Sequence, residues 1–210
     1  MNYFLDIGTN YFQGFNRFFY SYTMDENWCV YCYEPVVEIY NNSKDLAENY
    51  RSKLYDLHHL NVAVYDSNCV KPFRVCKTIR DRSTGLLLKK HDPSFASNFL
   101  DIDIFTGNIA HIQVYDTKEV VCVDILEILE GIVSQDQSAN IFMKIDIEGA
   151  EYAVINRILE FERLKHIRVM HVEWHSRFWK KHPDYKSIVS TEDDLIGRIA
   201  DSGIFLVDHE

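Results

Sequence analysis

Three carboxylates crowd into the eight residues Lys144-Ile145-Asp146-Ile147-Glu148-Gly149-Ala150-Glu151, where a buried strand is expected to turn into a helix. The preceding Asn140-Ile141-Phe142-Met143 is apolar enough for a core strand. Carboxylates are almost never left buried without a partner, because removing the charge from water is costly. In open α/β sheets the carboxyl ends of the strands are where ligands bind, so the block reads as a site. On an extended strand Lys144, Asp146 and Glu148 take one face, and Ile145 and Ile147 the other. Downstream, His171, Glu173 and His175 share one face, with Val172 and Trp174 opposite. Parallel strands covered on both sides normally read as continuous apolar runs, and these two do not. If they are neighbours, Lys144 neutralises Glu173 and Asp146 points into a cleft. A buried ion pair serving only the fold is the competing reading for Lys144 and Glu173.

Two other positions carry chemistry. In Asp6-Ile7-Gly8-Thr9-Asn10 a glycine directly follows the first expected strand, where the backbone can turn and approach a ligand closely. Glu34 closes the second expected strand, the place where doubly wound folds put an acid against ribose hydroxyls. Together they favour a nucleoside-bearing cofactor, a condition that a nicotinamide dinucleotide also meets. The dinucleotide fingerprint G-x-G-x-x-G is absent, since the next glycine after Gly8 is Gly14. Asp146, Glu148, Glu173 and His175 are ligand types that magnesium or manganese accepts. They show no dedicated ligand spacing, so no metal is expected. Neither a G-x-S-x-G elbow nor a G-x-x-x-x-G-K-[ST] loop occurs, which argues against a serine hydrolase and an NTPase.

The elements that must position these residues alternate. Tyr3 to Gly8 reads as a strand, Gln13 to Tyr22 as an aromatic-rich helix and Trp28 to Tyr33 as a second strand. Val36 to Leu54 reads as one helix and Leu60 to Val64 as a third strand. That order predicts an α/β fold, a doubly wound, mostly parallel Rossmann-like sheet with helices on both faces. Val70 to Thr78 suggests a hairpin strand and Asp81 to Gly107 a long loop. Residues 69–118 are therefore expected to be an irregular insertion within a single domain spanning 1–210. Glu119 to Val123 and Ile141 to Asp146 follow as strands, with helices over Asp124–Ser134 and Ala150–Leu159. His166 to Trp174 is the next strand. Thr191 reads as the cap of a helix ending near Gly203, before a last strand from Ile204 to Val207.

The bulk properties agree. Of 210 residues, 47% are hydrophobic and 14% aromatic, enough for a sizeable core. The net charge of -10 opposes nucleic-acid backbones, so no nucleic-acid partner is expected. No apolar run approaches the roughly 20 residues of a spanning helix, and no basic leader precedes the first strand. Cys29 and Cys32 form a C-x-x-C inside a strand, where side chains three apart point to opposite faces. With Cys69, Cys76 and Cys122 they are expected to be free thiols in a reducing compartment, the cytoplasm, without membrane association.

The motifs Asp6-Ile-Gly-Thr-Asn10, Tyr33-Glu34-Pro35, Asn61-Val-Ala63-Val, Lys144-Ile-Asp-Ile-Glu-Gly-Ala-Glu151 and Val172-Glu173-Trp-His175 come in an order that resembles the FkbM family of S-adenosylmethionine-dependent methyltransferases. The Lys144–Glu151 block is the specific one; the rest occur in many class I methyltransferases. The resemblance implies S-adenosyl-L-methionine as cofactor and transfer of its methyl group, typically to a hydroxyl oxygen of a small molecule or glycan. It implies that Asp6, Gly8, Thr9 and Asn10 shape the loop around the cofactor's methionine part. Glu34 would hold the ribose, Pro35 would follow along the adenosine, and Ala63 would lie by the adenine. Asp146 would stand nearest the sulfonium and acceptor. His175, then Asp146, are the candidate general bases, with Glu173 and Lys144 beside them. Two departures stand out. The family usually has glycine at the position of Phe12. The chain also stops at Glu210, so the usual seventh, antiparallel strand is expected to be missing. An NAD-dependent oxidoreductase and a non-catalytic Rossmann-like binding protein are the rival readings.

Overall fold

A computed structural model describes residues 1–81, 84, 87–90, 98–99, 111–178, 180 and 183–208. The chain runs β1 (Asn2–Ile7), α1 (Gln13–Ser21), β2 (Trp28–Tyr33), α2 (Val37–Asn42), α3 (Lys44–Arg51), β3 (Asp56–Leu60), β4 (Ala63–Tyr65), β5 (Cys69–Asp81), β6 (Leu87–Lys90) and β7 (Asn98–Phe99). It continues through β8 (His111–Asp124), α4 (Ile125–Gln135), β9 (Asn140–Ile145), α5 (Glu151–Ile158), β10 (Ile167–Val172), α6 (Tyr185–Ser202) and β11 (Phe205–Asp208). Six strands form one parallel sheet in the order β11-β10-β9-β1-β2-β3. This is the doubly wound Rossmann-like architecture of class I methyltransferases, and among the described residues the sheet has no antiparallel strand.

Strand alternation divides the core. On one face Leu5, Ile7, Met143, Ile145, Met170 and Val172 pack under Leu129 of α4, Ile155 of α5 and Ile199 of α6. On the other, Phe4, Val30 and Cys32 meet Phe15 and Phe18 of α1 and Ala47 of α3. Cys29 lies in the first cluster and Cys32 in the second, as their spacing on a strand requires. The register sets Asp6 beside Lys144, and Lys144 beside His171, in one row. The carboxyl end of that row is where the site forms. No helix among the described residues is long and apolar enough to cross a membrane.

Several boundaries differ from the sequence expectation. The helix expected over 36–54 is broken at Ser43, whose fully buried hydroxyl donates to the Ile39 carbonyl at 2.7 Å and ends α2. Residues 60–64 do not form one strand. Asp56–Leu60 pairs with β2, whereas Ala63–Tyr65 pairs with β8 in a second sheet. The stretch read as an irregular insertion carries the long antiparallel pair β5–β8, which runs from Cys69↔Cys122 to Asp81↔His111. The second sheet has the order β4-β8-β5-β6, with β7 also on β5. Thr191 caps nothing: it sits inside α6, and its hydroxyl donates to the Ser187 carbonyl at 3.0 Å.

Candidate functional site

The loops after β1, β2 and β9 converge at the carboxyl edge of the parallel sheet. After β1 the chain turns at Gly8, with φ 85°. A Cβ there would drive into the Asp146 carbonyl oxygen, so only glycine lets the two loops touch. Asn10 and Phe12 follow in the left-handed region, with φ 55° and 60°. Phe12 thus holds the conformation that glycine adopts without strain. Its ring compensates by packing: it stacks on Tyr50 at 5.9 Å and meets Phe15 and His59 edge-on. Gly14 does not substitute for it, being already inside α1.

Glu34 follows β2 with its carboxylate almost wholly buried. Oε2 accepts the Asn10 backbone N–H at 2.9 Å and Oε1 accepts that of Val36 at 2.8 Å. Burial raises its pKa from 4.5 to about 7, against the pull of these two donors. Asn61 braces this turn, its amide donating to the carbonyls of Glu34 and Pro35 at 2.8 and 3.1 Å. A carboxylate has about four acceptor positions, so Glu34 retains capacity for a ligand's hydroxyls.

An open cleft runs between these loops. Gly8, Asn10, Glu34, Pro35, Ala63 and Asp146 all line it, six residues expected from the sequence. Val36, Ile39, Val64 and Phe73 add an apolar wall, and Ile147 and Glu148 the far lip. Phe73 comes from β5 in the second sheet, and no local pattern marked it for this position. Asp6 and Thr9 do not reach the cleft. They lie buried beneath it, where the Thr9 hydroxyl donates to the Asp6 carbonyl at 2.9 Å.

Lys144 is buried under the same floor. Its ammonium donates to the Gly8 carbonyl at 2.6 Å and stands 3.0 Å from Asp146 Oδ2 and 3.6 Å from Asp6 Oδ1. Burial opposes its charge, but the carboxylates of Asp146 and Asp6 overcome that and hold its pKa above the ordinary lysine value. Asp6, fully buried with neither carboxylate oxygen hydrogen-bonded, has its pKa raised by burial despite Lys144. The expected partnership of Lys144 with Glu173 is not the main one. Glu173 accepts instead from Arg177, at 2.5 Å, one turn along the chain.

His175 does not continue the strand alternation of His171 and Glu173. β10 ends at Val172, and His175 opens a short 3-10 turn over His175–Phe178. Its ring lies among acids: Nδ1 is 3.2 Å from Glu151 Oε1, while Nε2 is 3.3 Å from Glu148 Oε2 and 3.9 Å from Asp146 Oδ1. Glu151 is fully buried at the start of α5 and also accepts the backbone N–H groups of His175 and Gly149. Burial disfavours the charged imidazole, but Glu151 and Glu148 outweigh it and raise the pKa well above 6.5. His175, Asp146, Glu148 and Glu173 therefore come together, and Glu151, singled out in the sequence only as part of the block, completes the group. Of the long loop expected from Asp81 to Gly107, residues 82–83, 85–86, 91–97 and 100–107 lie outside the described residues.

No curated protein and no solved structure matches the chain. A family model does: residues 6–194 match the methyltransferase FkbM domain.

Proposed function

The chain belongs to the family of methyltransferases with an FkbM domain, and from that premise we propose that it moves the methyl group of S-adenosyl-L-methionine onto a hydroxyl oxygen of a small molecule or glycan. The observation that carries the reading is the continuity of the cleft: Glu34 and Asp146 line the same space, with Gly8 between them. The fit to an adenosine-bearing cofactor is chemical. Glu34 presents a buried acceptor suited to vicinal hydroxyls, and Val36, Ile39, Ala63 and Phe73 give an apolar bed for a ring. When bound, the cofactor supplies a methyl group on a sulfonium leaving group.

The residues at the far lip do the rest. Displacement at carbon demands an oxygen held in line with its target, so positioning accounts for much of the acceleration. Asp146 and Glu148, on the lip, orient the acceptor hydroxyl. The acceptor must also lose a proton. His175 carries a proton of its own at neutral pH, because Glu151 and Glu148 stabilise the imidazolium. Asp146 is therefore the better proton acceptor of the two candidates, with His175 and Lys144 fixing its carboxylate. The buried free thiols suit a reducing compartment, and we place the protein in the cytoplasm.

Calorimetry with S-adenosylhomocysteine and with NAD separates this reading from its rivals. Binding of the first alone is expected; binding of NAD alone indicates an oxidoreductase, and binding of neither a protein that no longer catalyses. Glu34→Ala should weaken S-adenosylhomocysteine about ten- to a hundredfold, the cost of losing a charge-assisted hydrogen bond. Unaltered affinity removes Glu34 from the ribose site.

A further inference from the structure

We propose that Cys69 and Cys122 are a redox-modification site: hydrogen peroxide joins them in a reversible disulfide that staples the strand pair behind the cleft wall. The two residues stand directly opposite each other on the antiparallel pair β5–β8. Opposed residues put their side chains on one face of the sheet, with Cα atoms about 4.5 or 5.5 Å apart. Disulfides span roughly 4.4 to 6.8 Å between Cα atoms, so the bond forms without a change of register. The two thiols already feel each other: burial first, and then the neighbouring Cys69, push the Cys122 thiol up to about 12. The other three cysteines face different side chains. Cys29 lies between Tyr3 and Asp56, Cys32 between Asp6 and His59, and Cys76 opposite Tyr115.

Exposure assigns the roles. Cys69 is partly exposed and Cys122 is buried, so peroxide meets Cys69 first. The Cys69 thiolate attacks one peroxide oxygen and the O–O bond breaks. The departing hydroxide takes up the proton that the thiol released, leaving one water and a sulfenic acid. Cys122 then attacks the sulfenic sulfur and the S–O bond breaks. The departing hydroxyl leaves with the Cys122 proton as a second water. The thiols have given up two electrons and the peroxide has gained them. Such disulfides in a reducing compartment are transient and redox-sensing.

The place of the pair gives the bond its consequence. On its other side Cys122 is the strand partner of Ala63 in β4. Cys69 shares a strand face with Phe73, four residues on, and both Ala63 and Phe73 line the cleft. All four pack in one apolar cluster with Val36 and Ile39. A bond between the two sulfurs therefore crosslinks the cluster that backs the cleft. Neither the bond nor its test depends on the methyl-transfer reading.

The test treats the whole reduced protein with hydrogen peroxide, alkylates free thiols under denaturing conditions and measures the mass without reduction. A monomer alkylated only at Cys29, Cys32 and Cys76 is expected. Its Cys69 and Cys122 peptides should be joined until a dithiol reductant releases them. Cys69→Ser and Cys122→Ser should each abolish the joined peptides, whereas Cys76→Ala, on the same strand but opposite Tyr115, keeps them. Cys69→Ser guards against misfolding of the more buried Cys122 variant, because Cys69 is partly exposed. The melting temperature should rise on oxidation, since the crosslink restricts the unfolded chain, and return on reduction. Three results overturn the proposal: Cys69 advancing to sulfinic or sulfonic acid with no joined peptide, a bond to another cysteine or between two copies, or a melting temperature that does not rise.

Discussion

At Glu34 solvation and hydrogen bonding pull against each other. Two backbone N–H groups favour the carboxylate, yet burial wins and lifts its pKa from 4.5 to about 7. The folded protein therefore holds this proton more tightly than the unfolded chain does. Stability from this group is complete below pH 4.5 and is lost as pH rises to about 7, a change of about 3 kcal/mol at most. Thermal unfolding across that window should show a falling melting temperature in the parent protein and a flatter profile in Glu34→Gln. Parallel profiles would mean that Glu34 titrates as an ordinary exposed acid. The sequence marked Glu34 as a candidate ribose acceptor by its place at the end of β2. It did not show the Asn10 backbone donor, because this depends on the left-handed path of Asn10. It likewise missed that Glu151 supports His175, since residues 24 positions apart meet only once β10 gives way to a 3-10 turn.

Elements matter through what their ends permit. The same substitution, glycine to alanine, should act in opposite directions at two ends of the molecule. At Gly8 it meets positive φ and the Asp146 carbonyl, and should cost about 2 kcal/mol or more. At Gly197, inside α6 with no atom within 4 Å of the added methyl, it should gain up to about 1 kcal/mol. Urea unfolding midpoints of the two variants read this directly; equal shifts would discard the close approach at Gly8. Strand and helix periodicity made β1, β2, β9 and α1 legible, because each buries a regular stripe. Ser43 hid its break between α2 and α3, because a serine hydroxyl bonding back to a carbonyl looks like any polar position of a helix. Thr191 misled for a related reason: its neighbours resembled a cap, while Tyr185 to Ser190 had already begun the turn.

For the molecule as a whole, the parallel sheet was legible, whereas of the second sheet only the strand pieces Val70 to Thr78 and Glu119 to Val123 were, not their pairing. Its long pair β5–β8 joins residues far apart in sequence, and its middle lacks the alternation that marks a half-buried strand. Yet it supplies Phe73 to the cleft wall, so the part least visible in the sequence reaches the site. The cysteines report on the same packing. Cys29, Cys32, Cys76 and Cys122 are buried and Cys69 is partly exposed; burial pushes Cys29 up to about 11 and Cys122 up to about 12. A thiol reagent should therefore titrate one group quickly in the native protein and all five after denaturation. Fast reaction of several thiols without denaturant would contradict the packing around the two sheets.

The contact between Gly8 and the Asp146 carbonyl has a consequence for how such a protein changes over time or under design. The ribbon after β1 and the ribbon after β9 are inheritable only as a pair. A loop borrowed from elsewhere, with any side chain at position 8, would push the acid lip outward and disturb Asp146 and Glu148 together. Reshaping the cleft wall is therefore best attempted at Phe73 and its sheet, whose strands vary without passing through that shared point.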